Sequence, residues 1–228
     1  MDKKKTDPLC ASCGSAARDR ICMSEEGNPG KGCPTLTGKD TLEKANKKYA
    51  DRATYNFAKQ ASIQEADCYV NRDEQPYVMQ PSKTRIVEIC EFAHKMGYKK
   101  LGIAFCLGLA GEAKTVEAIF ETKGFEVASV CCKAGRTSKD LIGIEEKDKI
   151  YRGTDGAMCN PIFQADALNE SGVELNVLLG LCVGHDALFF QHSSVPTTVL
   201  AVKDRVTGHN PLAAIYNAGS YYQKIKKP

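Results

Sequence analysis

The chain has no tryptophan, few aromatic residues (7%), and no excess of either charge, with 31 basic residues against 28 acidic ones in 228. A formal net charge of +3 gives no electrostatic footprint for a dedicated nucleic-acid or membrane-surface binder. No apolar run approaches the roughly 18 residues that span a bilayer, and the opening Met1-Asp2-Lys3-Lys4-Lys5-Thr6-Asp7 lacks the apolar centre of a secretion signal. The expectation is a cytoplasmic protein with neither nucleic acid nor membrane as a partner, the lysines of Lys3–Lys5 and Lys224–Lys227 being solvated tails. Three nucleotide and hydrolase signatures are also missing. Gly108-Leu-Ala-Gly111 lacks the G-x-G-x-x-G spacing, and there is neither a G-x-x-x-x-G-K-[ST] phosphate loop nor a G-x-S-x-G elbow. Nicotinamide, ATP and serine-hydrolase chemistry therefore have little support.

Cysteine, by contrast, is abundant, with eleven residues. In a compartment that keeps thiols reduced, so many cysteines point to metal ligation or thiol chemistry rather than to a disulfide framework. They form two populations. Cys10-x2-Cys13-x8-Cys22-x10-Cys33-Pro34 lies in a Gly/Pro/Ser-rich stretch, residues 7–38, with too few apolar side chains to build a core. Four thiolates opening on a C-x2-C pair can surround zinc or the irons of a cluster, and ligation would supply the missing order. The wide spacing of the last two cysteines and the proline after Cys33 favour iron and sulfide, a 4Fe-4S cluster, with zinc as the alternative. Cys68 is a possible substitute ligand.

The rest of the chain has the grammar of an α/β protein. Asp40 and Glu43 resemble a capping box opening one long helix to about Ala66, and an apolar repeat from Ile86 to Met96 predicts a second helix ending at Gly97. Beyond Lys99, short apolar runs alternate with helical segments. Strands are expected over 101–107, 125–132, 175–182 and 197–202, and helices over 112–122, from Pro161, and after Asp186 read as an N-cap. Such runs imply βαβ units, hence a small three-layer α/β domain with a mostly parallel sheet, preceded by a helical, cysteine-rich extension. The expected domains are residues 1–80 and 81–228.

Two strand ends look alike, Cys106-Leu107-Gly108 and Cys182-Val183-Gly184, and Cys132 closes a third. Ligands of open parallel sheets bind outside the carboxyl ends of the strands, so Cys106, Cys132, Cys159 and Cys182 form a candidate second metal set. Cys159 precedes Asn160-Pro161, an N-cap and N1 proline, where a helix end favours a thiolate. Gly108 and Gly184 would let backbone approach a cluster. Cys131 and Cys132 point to opposite faces of a strand, and Cys132 is the better candidate of the two. The competing view makes these cysteines ordinary core residues, as Cys90 is expected to be. His185 and His209 are candidate proton donors beside the sheet edge.

Together Cys10-Ala-Ser-Cys13, Phe105-Cys106-Leu-Gly108-Leu-Ala-Gly111-Glu112, Met158-Cys159-Asn160-Pro161, Gly180-Leu-Cys182-Val-Gly184-His185-Asp186 and Asp204-Arg205-Val-Thr-Gly208-His209-Asn210-Pro211 resemble a domain-of-unknown-function family of cysteine-rich bacterial and archaeal proteins described as predicted metal-binding proteins. The resemblance covers nearly the whole chain and implies a metal but no reaction. Three functions follow as expectations. The first is an iron–sulfur protein with two centres, moving electrons to a redox partner protein or reducing a small molecule. The second is a non-redox enzyme using an open iron as a Lewis acid, and the third a structural-zinc docking or metal-handling module.

Overall fold

The computed structural model describes residues 7–228, so the Lys3–Lys5 tail lies outside the described residues. The chain divides into two compact units, one reaching Ile63 and the other running from Gln64 to Pro228.

The first unit is built from short pieces. Helices α1 (Pro34–Thr37) and α2 (Lys39–Lys47) follow single 3-10 turns at Cys10–Ser12 and Ala17–Asp19. Helix α3 (Arg52–Asp67) begins in this unit and ends in the second. The expected single helix over 40–66 is thus two. Asp51 breaks it with an extended backbone, and its carboxylate accepts the Thr54 N–H at 2.8 Å, the geometry of an N-cap. The Asp40/Glu43 capping box does not form either. Gly38 occupies the N-cap of α2 with no side-chain bond, leaving Asp40 in the first turn.

The second unit continues with α4 (Arg85–Met96), β1 (Lys100–Phe105), α5 (Ala110–Thr122), β2 (Glu126–Cys131), α6 (Pro161–Glu170), β3 (Leu175–Leu181), α7 (His185–His192), β4 (Thr197–Val202) and α8 (Pro211–Tyr216). All four strands run parallel in the order β2-β1-β3-β4. β3 is buried along its whole length, as a central parallel strand must be, which is why it reads as an unbroken apolar run. α4 ends at Gly97 in the left-handed conformation that the sequence requires of it (φ 77°).

One face of the sheet packs Leu101, Ile103, Val177 and Leu179 against α4 and α5 through Ile89, Ala93, Val116 and Phe120. The opposite face packs Ala104, Leu178 and Leu181 against α6 and α7 through Ala165, Leu168 and Phe189. Helices cover both faces, so the α/β fold with a three-layer parallel sheet is as expected. Cys90 is 2% exposed in the first of these cores.

Register places the cysteines. Phe105 pairs with Cys131 on one side and Leu179 on the other, which sets Cys106 level with Cys132 and Gly180. Between β3 and β4 the pairing slips twice, first skipping Leu200 and then Gly180. Cys182 lies past the end of β3 rather than inside it, correcting the expected strand over 175–182.

Candidate metal centre and thiol site

In the first unit Cys10, Cys13, Cys22 and Cys33 all line one cavity of about 50 Å³, together with Arg20 and Lys31. That volume suits a small inorganic group, since organic ligands occupy pockets of roughly 300–1,000 Å³. Each cysteine is positioned by local structure. Cys10 opens a 3-10 turn in which the Cys13 N–H donates to the Cys10 carbonyl at 3.2 Å, bringing the C-x2-C pair onto one turn. Cys33 caps α1, and the Thr35 hydroxyl followed by the Thr35, Leu36 and Gly30 backbone holds its thiol below the ordinary value. Gly30 leaves room beside Cys13: a Cβ there would sit 3.0 Å from the Cys13 sulfur. No residue from 7 to 50 is buried.

At the carboxyl edge of the sheet, Cys106, Cys132 and Cys159 share one environment and Cys182 has another. The Cys132 backbone is pinned from both sides, its N–H donating to Phe105 O at 2.8 Å and its carbonyl accepting the Asn160 N–H at 2.9 Å. The second bond brings the residue before Asn160, Cys159, against Cys132. Their sulfurs are hydrogen-bonded to each other, and the Leu107 N–H donates to Cys132 Sγ at 3.3 Å. The Cys132 thiol, 3% exposed, is held strongly protonated by that bond to Cys159 and by burial. Cys159 goes the other way, lowered to about 5 first by the Cys132 hydrogen bond and then by Lys133 and His185. The expected Asn160-Pro161 helix start is present, with Asn160 Oδ1 accepting the Phe163 N–H at 3.0 Å. Its neighbour's thiolate owes most, however, to another cysteine.

Cys182 instead accepts a hydrogen bond from Arg205 Nη2 at 3.1 Å. Cys131, half-buried, ends β2. Gly108 is open, a Cβ there meeting only Lys203 Nζ at 3.8 Å and Cys106 Sγ at 3.9 Å, and Gly184, with φ 84° and nothing within 4 Å, is the true N-cap of α7. Asp186, expected in that role, turns its carboxylate onto the Ala187 N–H. His185 lies near Cys159, whereas the His209 ring packs on its own loop, Nδ1 lying 3.1 Å from Val202 O. Cys68 is buried in the second unit, its thiol donating to Gln64 O at 3.1 Å and pushed upward by burial.

Among the described residues no three His, Cys, Asp or Glu side chains stand in ion-ligating geometry. The arm thiols share a cavity wall without closing on a point. In donor chemistry they nevertheless fit a soft metal: four thiols with no carboxylate among them, in a cradle that a Cβ at Gly30 would crowd. No helix among the described residues is long and apolar enough to cross a membrane.

Sequence reasoning missed Gln164, Lys133, Lys203 and Arg205. Gln164 is 1% exposed and donates to Phe105 O at 3.2 Å and Val130 O at 2.7 Å, clamping the ends of β1 and β2. Its signal was available, because 161, 164, 165 and 168 form the buried stripe of α6 and only one of them is polar.

A family model described as a protein of unknown function (DUF1847) matches residues 33–200, a span that holds Cys33 and every sheet-edge cysteine. Among curated proteins the chain is similar to the uncharacterized protein MJ0455 of Methanocaldococcus jannaschii, 46% identical over 188 residues that cover 82% of this chain and 91% of that one. No solved structure matches the chain.

Proposed function

Because the chain belongs to the family of unknown function DUF1847, its chemistry has to be argued from its own residues, and we propose a thiolate metal-binding protein whose arm holds an iron–sulfur centre on Cys10, Cys13, Cys22 and Cys33. The observation that carries this reading is the shared cavity: four thiols on one wall, in a segment with no buried side chain. Such a segment gains little from apolar burial to offset its conformational entropy, and ligation is the remaining source of order. Arg20 and Lys31 at the cavity offset the negative charge that four thiolates would bring. Cys33 already accepts hydrogen bonds that favour its anionic form. Proline after the last cysteine tilts the choice toward iron and sulfide over zinc. When bound, such a cluster supplies one-electron transfer at a potential tuned by hydrogen bonding and exposure. The sheet-edge thiols are not needed for this centre, since the arm alone offers four donors.

The test is iron, zinc and acid-labile sulfide per chain in protein purified without oxygen, for the wild type and Cys13→Ser. About four irons and four sulfides, lost in the variant, is the expected result. One zinc without sulfide would overturn the iron assignment and make the arm a structural clip. Absence of any metal would overturn the reading altogether.

A further inference from the structure

The order of the sheet singles out one place on its carboxyl rim. From β1 the chain passes to β2 on one side, and from β3 to β4 on the other, so the direction of winding reverses between β1 and β3. Open parallel sheets bind their ligands at that crevice. Here the two Cys-x-Gly turns, 106–108 and 182–184, flank it, and the Cys132/Cys159 pair lies beside Cys106.

We infer that this rim is a thiol–disulfide exchange site, with Cys159 as nucleophile and Cys132 as resolving thiol, and that its substrate is a small disulfide carrying anionic groups. The assignment is independent of the arm's metal. The pair has the asymmetry that exchange requires. Cys159 is half-buried and reachable, whereas Cys132 is 3% exposed and hydrogen-bonded to the Cys159 sulfur. The Asn160 N–H to Cys132 O bond at 2.9 Å holds the two backbones together.

Charge around the pair selects the substrate class. Lys133 bonds to Ala157 O at 2.6 Å beside Cys159, Lys203 Nζ approaches Gly108 and Gly180, and Arg205 reaches the Cys182 sulfur. None of the three is in an ion pair with a described residue. Two carboxylates at the rim, Asp186 and Asp204, are turned onto backbone N–H groups. Three cations without carboxylate partners favour an anionic guest.

The step balances as a two-electron exchange. Cys159 thiolate attacks one sulfur of R–S–S–R, the S–S bond breaks, and RS⁻ leaves. Cys132 then loses its proton to that leaving thiolate and attacks Cys159 Sγ, expelling the second RS⁻. The protein ends as the Cys132–Cys159 disulfide, oxidised by two electrons, and the substrate as RSH and RS⁻.

The test mixes the reduced full-length protein with an anionic aromatic disulfide, 5,5′-dithiobis(2-nitrobenzoate), and in parallel with cationic cystamine. Expected is a fast phase releasing about two thionitrobenzoates per chain, reduced to about one in Cys132→Ser and abolished in Cys159→Ser. Lys203→Ala with Arg205→Ala should slow the anionic probe about tenfold and leave cystamine unaffected. Peptide mapping of the oxidised wild type, which depends on no variant's folding, should find the Cys132–Cys159 disulfide. A fast phase surviving in Cys159→Ser, or another pairing in the map, overturns the exchange assignment. Equal slowing of both probes overturns the anionic class. Loss of a whole metal centre in Cys159→Ser would make the rim a ligand set and end the proposal, whereas failure of the arm reading would appear separately, as absence of iron and zinc in the wild type.

Discussion

Cys159 should be a thiolate at every pH where the protein is handled, and the consequence for its reactivity can be worked out. Its value is lowered from 9.0 to about 5, so the reactive form is complete above about pH 6 and is lost only as pH falls through 5. At pH 7 an ordinary thiol is about 1% ionised, which gives Cys159 a roughly 100-fold advantage in thiolate. Nucleophilicity falls with basicity, however, and with a Brønsted slope near 0.4–0.5 the drop removes about 40- to 100-fold. The two nearly cancel at pH 7. At pH 6 the thiolate advantage grows about tenfold while the nucleophilicity penalty stays the same, so Cys159 should outpace an ordinary exposed cysteine by about tenfold there. The assay is pulse alkylation with iodoacetamide between pH 4.5 and 8, read as label on the peptide containing Cys159. A flat profile from pH 6 to 8 with a fall near 5 is expected. Cys132→Ala removes the largest cause of the shift and leaves burial opposing Lys133 and His185, so the midpoint should move upward. Labelling of Cys159 that climbs tenfold per pH unit between 6 and 8, or a midpoint unmoved in Cys132→Ala, would refute the account.

Two further substitutions test how the rim is held. Gln164→Leu removes two hydrogen bonds to strand-end carbonyls in the interior and should cost about 2–4 kcal/mol in a denaturant titration; a loss below about 0.5 kcal/mol would mean that the clamp contributes nothing. Gly102→Ala would drive a Cβ into the buried Asn176 Oδ1, an acceptor that itself has no partner among the described residues. About 1–3 kcal/mol of destabilisation should appear, and Asn176→Ala in the same chain should recover part of it.

The layers of the second unit were legible because parallel strands leave an unmistakable trace: apolar runs such as the buried Leu175–Leu181 and the half-buried Thr197–Val202, with helices between them. Parity along β2 also separates the neighbours, with Cys132 3% exposed and Cys131 half-buried. Boundaries set by a single polar side chain were harder. Asp51 stops a helix that composition alone would continue, and Gly184 takes the cap that Asp186 was expected to fill. The sheet-edge group was located by topology, since strand ends of a parallel sheet must meet at one rim. The partnership of Cys132 with Cys159, and of Cys182 with Arg205, depends on register and bulges that residue types do not encode.

Register between β1 and β3 sets two turns that read almost identically at different levels of the rim. Gly180, with φ 69°, is the residue left unpaired with β4 on β3, and a Cβ on it would clash with Leu109 Cδ1. Gly180 stands level with Cys106, so Cys182 lies two residues further along the chain, out toward the guanidinium that follows β4. The look-alike turns therefore work as a vernier: offset by two residues along the rim, one thiol is left among other thiols and the other under a fixed positive charge, and a repeated motif acquires two chemistries.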